Sequence, residues 1–148
     1  MLDNVYNSKI LEYAGNIERI GELESSDAKA RAHSKLCGST VDVALKMQDD
    51  IVSDFAHKVK ACALGQASSS IMARVVVGST SQELRQLRKT MYAMLKENGP
   101  APDGKFEDFK FLEPVRDYKA RHASTLLTFD AVVDCLDQIE LARSAAAE

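Results

Sequence analysis

The amino-acid sequence predicts an α+β fold in which a small antiparallel β-sheet packs against helices on one face. Two patterns carry that reading. Strand-like alternation is confined to the first half of the chain, where Val41, Val43, Leu45 and Met47 interleave with Thr40, Asp42, Ala44 and Lys46. From Ala63 onward the apolar residues recur at three and four, as on helix faces. Strands early and helices late place the helices together over one side of the sheet. The chain has 148 residues, 45% hydrophobic side chains and three prolines, enough for one domain that buries about two-thirds of its unfolded surface.

The elements follow in order. Ile10, Tyr13, Ala14, Ile17 and Ile20 form an apolar stripe that predicts a first helix closing near Gly21. Residues 22–35, charged and small without a period, read as a flexible loop. The alternating run from Thr40 is the first strand, Gln48–Asp50 supply the turn, and Ile51–Lys60 return antiparallel with Ile51, Phe55 and Val59 on one face. A second helix follows Cys62, buries Ile71, Met72, Val75 and Val76, and ends at Gly78. Thr80 and Glu83 form a capping box ahead of Leu84, Leu87, Met91 and Leu95, and Asn98, Gly99 and Pro100 stop that helix. A weakly helical piece spans Phe106 to Leu112. The last helix runs from about Ser124, read as its N-cap, to Arg143, and is apolar on most sides. The whole is a single domain, 1–148, with 143–148 expected as a disordered tail.

Composition excludes several function classes. A net charge of −3 without a basic tail argues against nucleic acid as a partner. The first fifteen residues lack the basic and apolar regions of a signal peptide, and no later run is apolar enough to span a membrane, so the sequence predicts a soluble cytoplasmic protein. Three cysteines, an odd number, in a reducing compartment point away from a disulfide framework and toward metal or sulfur chemistry, with buried inert thiols as the alternative.

Cys37 precedes the first strand and Cys62 follows the second. In a hairpin the outer ends of the two strands meet, so both sulfurs are expected at one end of the sheet. Cys62 also precedes a helix, where unpaired backbone N–H groups favour a thiolate. Ala61, Ala63, Gly65 and Ala67 leave room for a cluster or an incoming sulfur, or let the helix pack closely on its neighbours. Cys135, between Val132 and Leu136 in the last helix, reads as a core thiol. Arg116, Lys119 and Arg121 form a basic run that either favours anionic sulfur or is a solvated charged stretch.

Three stretches, LCGSTVDVALKM, VKACALGQASSSIMARVVVG and PVRDYKARHASTLLTFDAV, resemble the consecutive signature regions of the NifU-like (IscU/SufU-type) iron–sulfur cluster assembly scaffolds. The likeness spans Tyr6 to Ile139, and the residues between Gly99 and Lys119 make the spacing most similar to the SufU subgroup. The resemblance implies the fold of that family, a transient iron–sulfur cluster or zinc, and a cysteine desulfurase and apo iron–sulfur acceptor proteins as partners. It carries Cys37 and Cys62 over as ligands. Where the family has an Asp after Cys-Gly this chain has Ser39, and where it has a third Cys it has Ser124. A neutral hydroxyl is a poor donor to zinc or iron, so His122, or less favourably His33 or His57, is the candidate replacement.

The leading expectation is a scaffold or carrier, not an enzyme, that holds iron, zinc or cluster through Cys37, Cys62 and His122. Small-molecule thiols, a partner, or a homodimer giving two cysteines per chain would complete the coordination. The first alternative is a persulfide acceptor for a cysteine desulfurase, zinc-dependent or metal-free, with Cys62 as the accepting thiol. The second is a degenerate paralogue that binds proteins without metal.

Overall fold

A computed structural model of the chain describes residues 6–147. Helix α1 (Ser8–Ala14) is followed by strands β1 (Ala28–His33), β2 (Thr40–Gln48) and β3 (Ile51–Lys60), then helices α2 (Ala63–Val75) and α3 (Ser81–Lys96). Two 3₁₀ segments, Gly104–Asp117 and Lys119–Arg121, lead into α4 (His122–Ala147). The strands form one antiparallel sheet in the order β1-β2-β3. This is the α+β architecture expected, with one strand more than the alternation pattern reveals.

Val41, Val43, Leu45 and Met47 of β2 face inward and are buried with Val52 and Phe55 of β3. Over them lie α2 and α4, whose Leu64, Ile71, Met72, Leu126, Phe129, Val132 and Leu136 share the core with Ile10 of α1, Leu84, Leu87 and Met91 of α3, and Phe109 and Leu112 of the first 3₁₀ segment. Cys135 is in that core, 0% exposed, and burial pushes its thiol pKa up to about 12. The register slips between Lys46/Met47, so that Asp54 pairs with Lys46 but Val52 pairs with Met47. That irregularity turns Val52 into the core and leaves Ile51 46% exposed, against the expected inward set of Ile51, Phe55 and Val59.

Three expectations about the chain between and beyond the elements are corrected. The first helix closes at Gly15, and Ile20 instead forms a parallel bridge to His57 beside β3. Residues 22–35 are not a free loop. Glu22 pairs with Lys58 at 3.0 Å, the Asp27 carboxylate accepts from the Met47 amide at 2.8 Å, and β1 follows. In β1 the inward positions are Ala28, Ala30 and Ala32, while Lys29, Arg31 and His33 face out. The connection from the β3 edge to the β1 edge crosses the outward face, where Ala44 and Ala56 are 8% and 5% exposed. Finally, the chain from Arg143 to Ala147 continues α4 rather than forming a disordered tail, as alanine's high helix propensity permits; Glu148 lies outside the described residues.

Candidate functional site

Both thiols expected at the sheet end lie there. Thr40 pairs with Lys60 at the end of the hairpin, Cys37 stands in the turn that enters β2, and Cys62 follows β3 by two residues. The turn is closed by the Gly38 amide to Ser34 O at 2.8 Å and the Ser34 amide to Ser39 O at 2.9 Å. Gly38 takes φ +76°, a left-handed conformation that glycine adopts without strain. The turn presents Cys37 to solvent and buries Ser34 and Ser39 beneath it. Cys37 Sγ lies 3.4 Å from Ser34 Oγ and 3.0 Å from Ser39 Oγ. Hydrogen bonds from Ser34 and then Ser39 hold its pKa below the ordinary thiol value, because both hydroxyls stabilise the anion.

Cys62 is half-buried and occupies the N-cap position of α2, but its sulfur makes no capping hydrogen bond. Its partner is Ser124 Oγ at 3.3 Å. Ser124 is not the N-cap of α4, as the sequence suggested, because that helix already begins at His122. It is buried in the first turn, with its hydroxyl donating to Arg121 O at 3.3 Å. Gly65 explains how α2 comes so near. A Cβ there would meet Ala61 Cβ at 2.7 Å and Ser124 O at 3.0 Å, so the small residues serve close helix packing rather than leaving an open space.

The candidate histidines do not join the thiols. The buried His122 engages Val115 O at 3.0 Å and Arg116 O at 3.1 Å through Nε2, which ties α4 to the preceding 3₁₀ segment. His57 faces the core from β3, with Nε2 donating to Glu18 O at 2.8 Å, and burial lowers its pKa. His33 is on the outward face of the sheet edge. Among the described residues no three His, Cys, Asp or Glu side chains come together as a metal group. The side-chain neighbours the two thiols do have are hydroxyls, Ser34 and Ser39 at Cys37 and Ser124 at Cys62, and neutral hydroxyls are poor donors to a zinc or iron ion that takes four N, S or carboxylate donors. Arg116 also leaves the basic run: its guanidinium donates to Met94 O and Gly99 O. Ser34 is the residue that sequence reasoning missed; its signal is the position at the base of a five-residue turn ending in Gly38.

Residues 5–123 match the profile of the NifU-like N terminal domain. The chain belongs to that family. Over 135 residues this NifU-like chain is 24% identical to the iron–sulfur cluster assembly scaffold protein IscU of Thermotoga maritima, covering 91% of this chain and 94% of that one. It is 23% identical over 131 residues to the zinc-dependent sulfurtransferase SufU of Bacillus subtilis, covering 88% of each. A crystal structure of the N-terminal part of a nitrogen-fixing NifU-like protein from Brucella abortus is 70% identical, with a TM-score of 0.93 over 94% of this chain and 96% of that one. Among the described residues no helix is long and apolar enough to cross a membrane.

Proposed function

We propose that this chain is an iron–sulfur cluster assembly scaffold that takes iron, zinc or cluster as transient cargo on Cys37 and Cys62. The reading rests on one observation above the others: two non-core thiols at one end of the sheet, each beside a hydroxyl, with the third thiol sealed in the core. The names of the IscU and SufU relatives point the same way. Two thiolates hold cargo without satisfying it, so the remaining donors come from outside the chain: small-molecule thiols, a partner protein, or a second copy contributing two cysteines of its own. The chain has no turnover of its own in this role. Sulfur arrives from a cysteine desulfurase, and the cargo leaves to apo acceptor proteins in the cytoplasm.

A second reading, sulfur acceptance, draws on the exposed Cys37 with its lowered pKa. Its thiolate would attack the outer sulfur of a donor persulfide; the donor S–S bond breaks, a new one forms on Cys37, and the donor departs as a thiolate with the electron pair. No outside oxidant or reductant is required. The hydrogen bonds from Ser34 and Ser39 favour Cys37 over Cys62 as the acceptor.

Anaerobic reconstitution with iron and sulfide, or with zinc, tests both readings on wild type, Cys37→Ala and Cys62→Ala. Elemental analysis and the absorption spectrum should register cargo on the wild type and its loss in either variant. Undiminished cargo in both variants would overturn the scaffold reading, and sulfur labelling of Cys37 without retained metal would favour the second.

A further inference from the structure

We propose that the open edge of β1 is a docking site for an extended, acidic segment of a partner protein, which adds to the sheet as a fourth strand. The proposal stands apart from the cargo reading, since neither thiol belongs to this edge. The sheet order β1-β2-β3 gives β1 and β3 one outer side each. On β3 that side is covered toward both ends: His57 exchanges backbone hydrogen bonds with Arg19 and Gly21, and Val52 with Gly78 and Ser79. Nothing among the described residues pairs with the outer side of β1. The Ser34 amide donates to Ser39 O, which sets the alternation along the strand. Ala30 and Ala32 turn their backbone groups to β2, whereas Lys29, Arg31 and His33 turn theirs to the open side. The Gln138 amide takes Lys29 O at 2.9 Å, and the remaining N–H and C=O groups are left for an added strand.

Sheets guard such edges with proline, bulges, short strands or charge. β1 keeps six residues in continuous register and has no proline, so charge is the guard. It works against a second copy, because antiparallel pairing of two β1 edges about Arg31 sets Arg31 against Arg31 and Lys29 against His33. Toward an acidic strand the same residues are attractive. Arg31 holds Asp42 at 2.6 Å, and Glu22, whose carboxylate also feels Lys29, is held by Lys58 at 3.0 Å, which leaves this outward row net positive.

The other flank supplies an apolar contact. Along α4, Cys135 reaches Val43 O of β2 and Gln138 reaches the outer side of β1. Leu141, one turn beyond Gln138, therefore overhangs the space past the edge, and it is 73% exposed. Asp134, one turn before Gln138, accepts from the amide of that residue at 3.3 Å. The segment that fits alternates, with acidic side chains toward Lys29, Arg31 and His33 and apolar ones toward Leu141.

The probes are two synthetic peptides, acetyl-EVEVEVE-amide and acetyl-KVKVKVK-amide, titrated into the full isotope-labelled chain and followed by amide NMR. The acidic peptide should shift residues 29–33 and slow hydrogen exchange at the Lys29, Arg31 and His33 amides. The basic peptide should bind at least about fivefold more weakly. Lys29→Glu/His33→Glu, at two exposed positions, should reverse that preference. Arg31→Pro removes an N–H from the open side without touching the β2 ladder and should abolish binding of the acidic peptide, with a thermal melt verifying the fold. No binding of the acidic peptide by wild type, equal binding of the two peptides, or an unchanged preference in the double reversal would overturn the proposal. A wild-type dimer that Arg31→Pro splits would overturn it in favour of pairing between two copies of this chain.

Discussion

Three cysteines with the same side chain are set apart by what each one touches. Cys37 is exposed with two serine hydroxyls on its sulfur, Cys62 is half-buried against Ser124, and Cys135 has only Val43 O at 3.7 Å in an apolar core. Alkylation of the metal-free native protein should therefore modify Cys37 first and leave Cys135 untouched until unfolding, as peptide mass spectrometry would register. Cys135→Ala should cost on the order of 1 kcal/mol in a urea titration and leave cargo binding unchanged. Ser124→Cys places a thiolate where a hydroxyl now sits 3.3 Å from the Cys62 sulfur, so zinc affinity should rise by about tenfold or more; an unaltered affinity would mean that Ser124 lies outside the donor set. His57 gives a stability prediction. Its folded pKa lies below the ordinary 6.5 because burial disfavours the cation. Above that value the ring is neutral folded or unfolded, and stability is complete. As pH falls below it the unfolded chain takes up a proton that the folded chain resists, and stability is lost by up to about 1.4 kcal/mol per pH unit. Denaturation midpoints at pH 7.5 and 5.5 should differ in wild type and differ less in His57→Phe.

At the scale of elements, α2 reaches α4 at the site because Gly65 has no side chain. Gly65→Ala should destabilise by about 1–3 kcal/mol through overpacking and should expose Cys62 to faster alkylation as α2 moves away from Ser124. Sequence reading succeeded where one side chain type dominated a face. The β2 alternation uses large apolar residues and the α3 capping box is a local device, so both were legible. β1 was missed because its inward residues are alanines, whose small area gives almost no signal between Lys29, Arg31 and His33 although the period is two. Such small residues fit an edge strand over which α4 passes closely enough for the Gln138 amide to reach Lys29 O at 2.9 Å. The stripe through Ile17 and Ile20 mimicked a longer helix; Ile20 serves a strand-like contact with His57 that no local pattern announces. The positions of Cys37 and Cys62 were legible from hairpin topology, whereas the direction of His122 was not, since it depends on the carbonyls of a 3₁₀ segment with no strong periodicity.

On the scale of the whole molecule, the hairpin works as an axis. Its turn, Asp49 and Asp50, is pinned by Arg143 to Asp49 O at 2.6 Å and by the Ser81 amide to Asp50 O at 3.1 Å, while its open end carries the thiols. The helices fix this axis and bury the third cysteine, Cys135, in the core. The central claim is that Cys37 and Cys62 hold one cargo together, and thiol footprinting of the loaded protein tests it most directly. Chain loaded anaerobically with zinc or with iron and sulfide is pulsed with an alkylating reagent and its three cysteines are quantified by mass spectrometry. Protection of Cys37 and Cys62 should rise in parallel with bound metal, with Cys135 equally slow loaded or empty. Full metal occupancy with Cys37 still alkylated at the rate of the empty protein, or protection of one thiol without the other, would contradict the account.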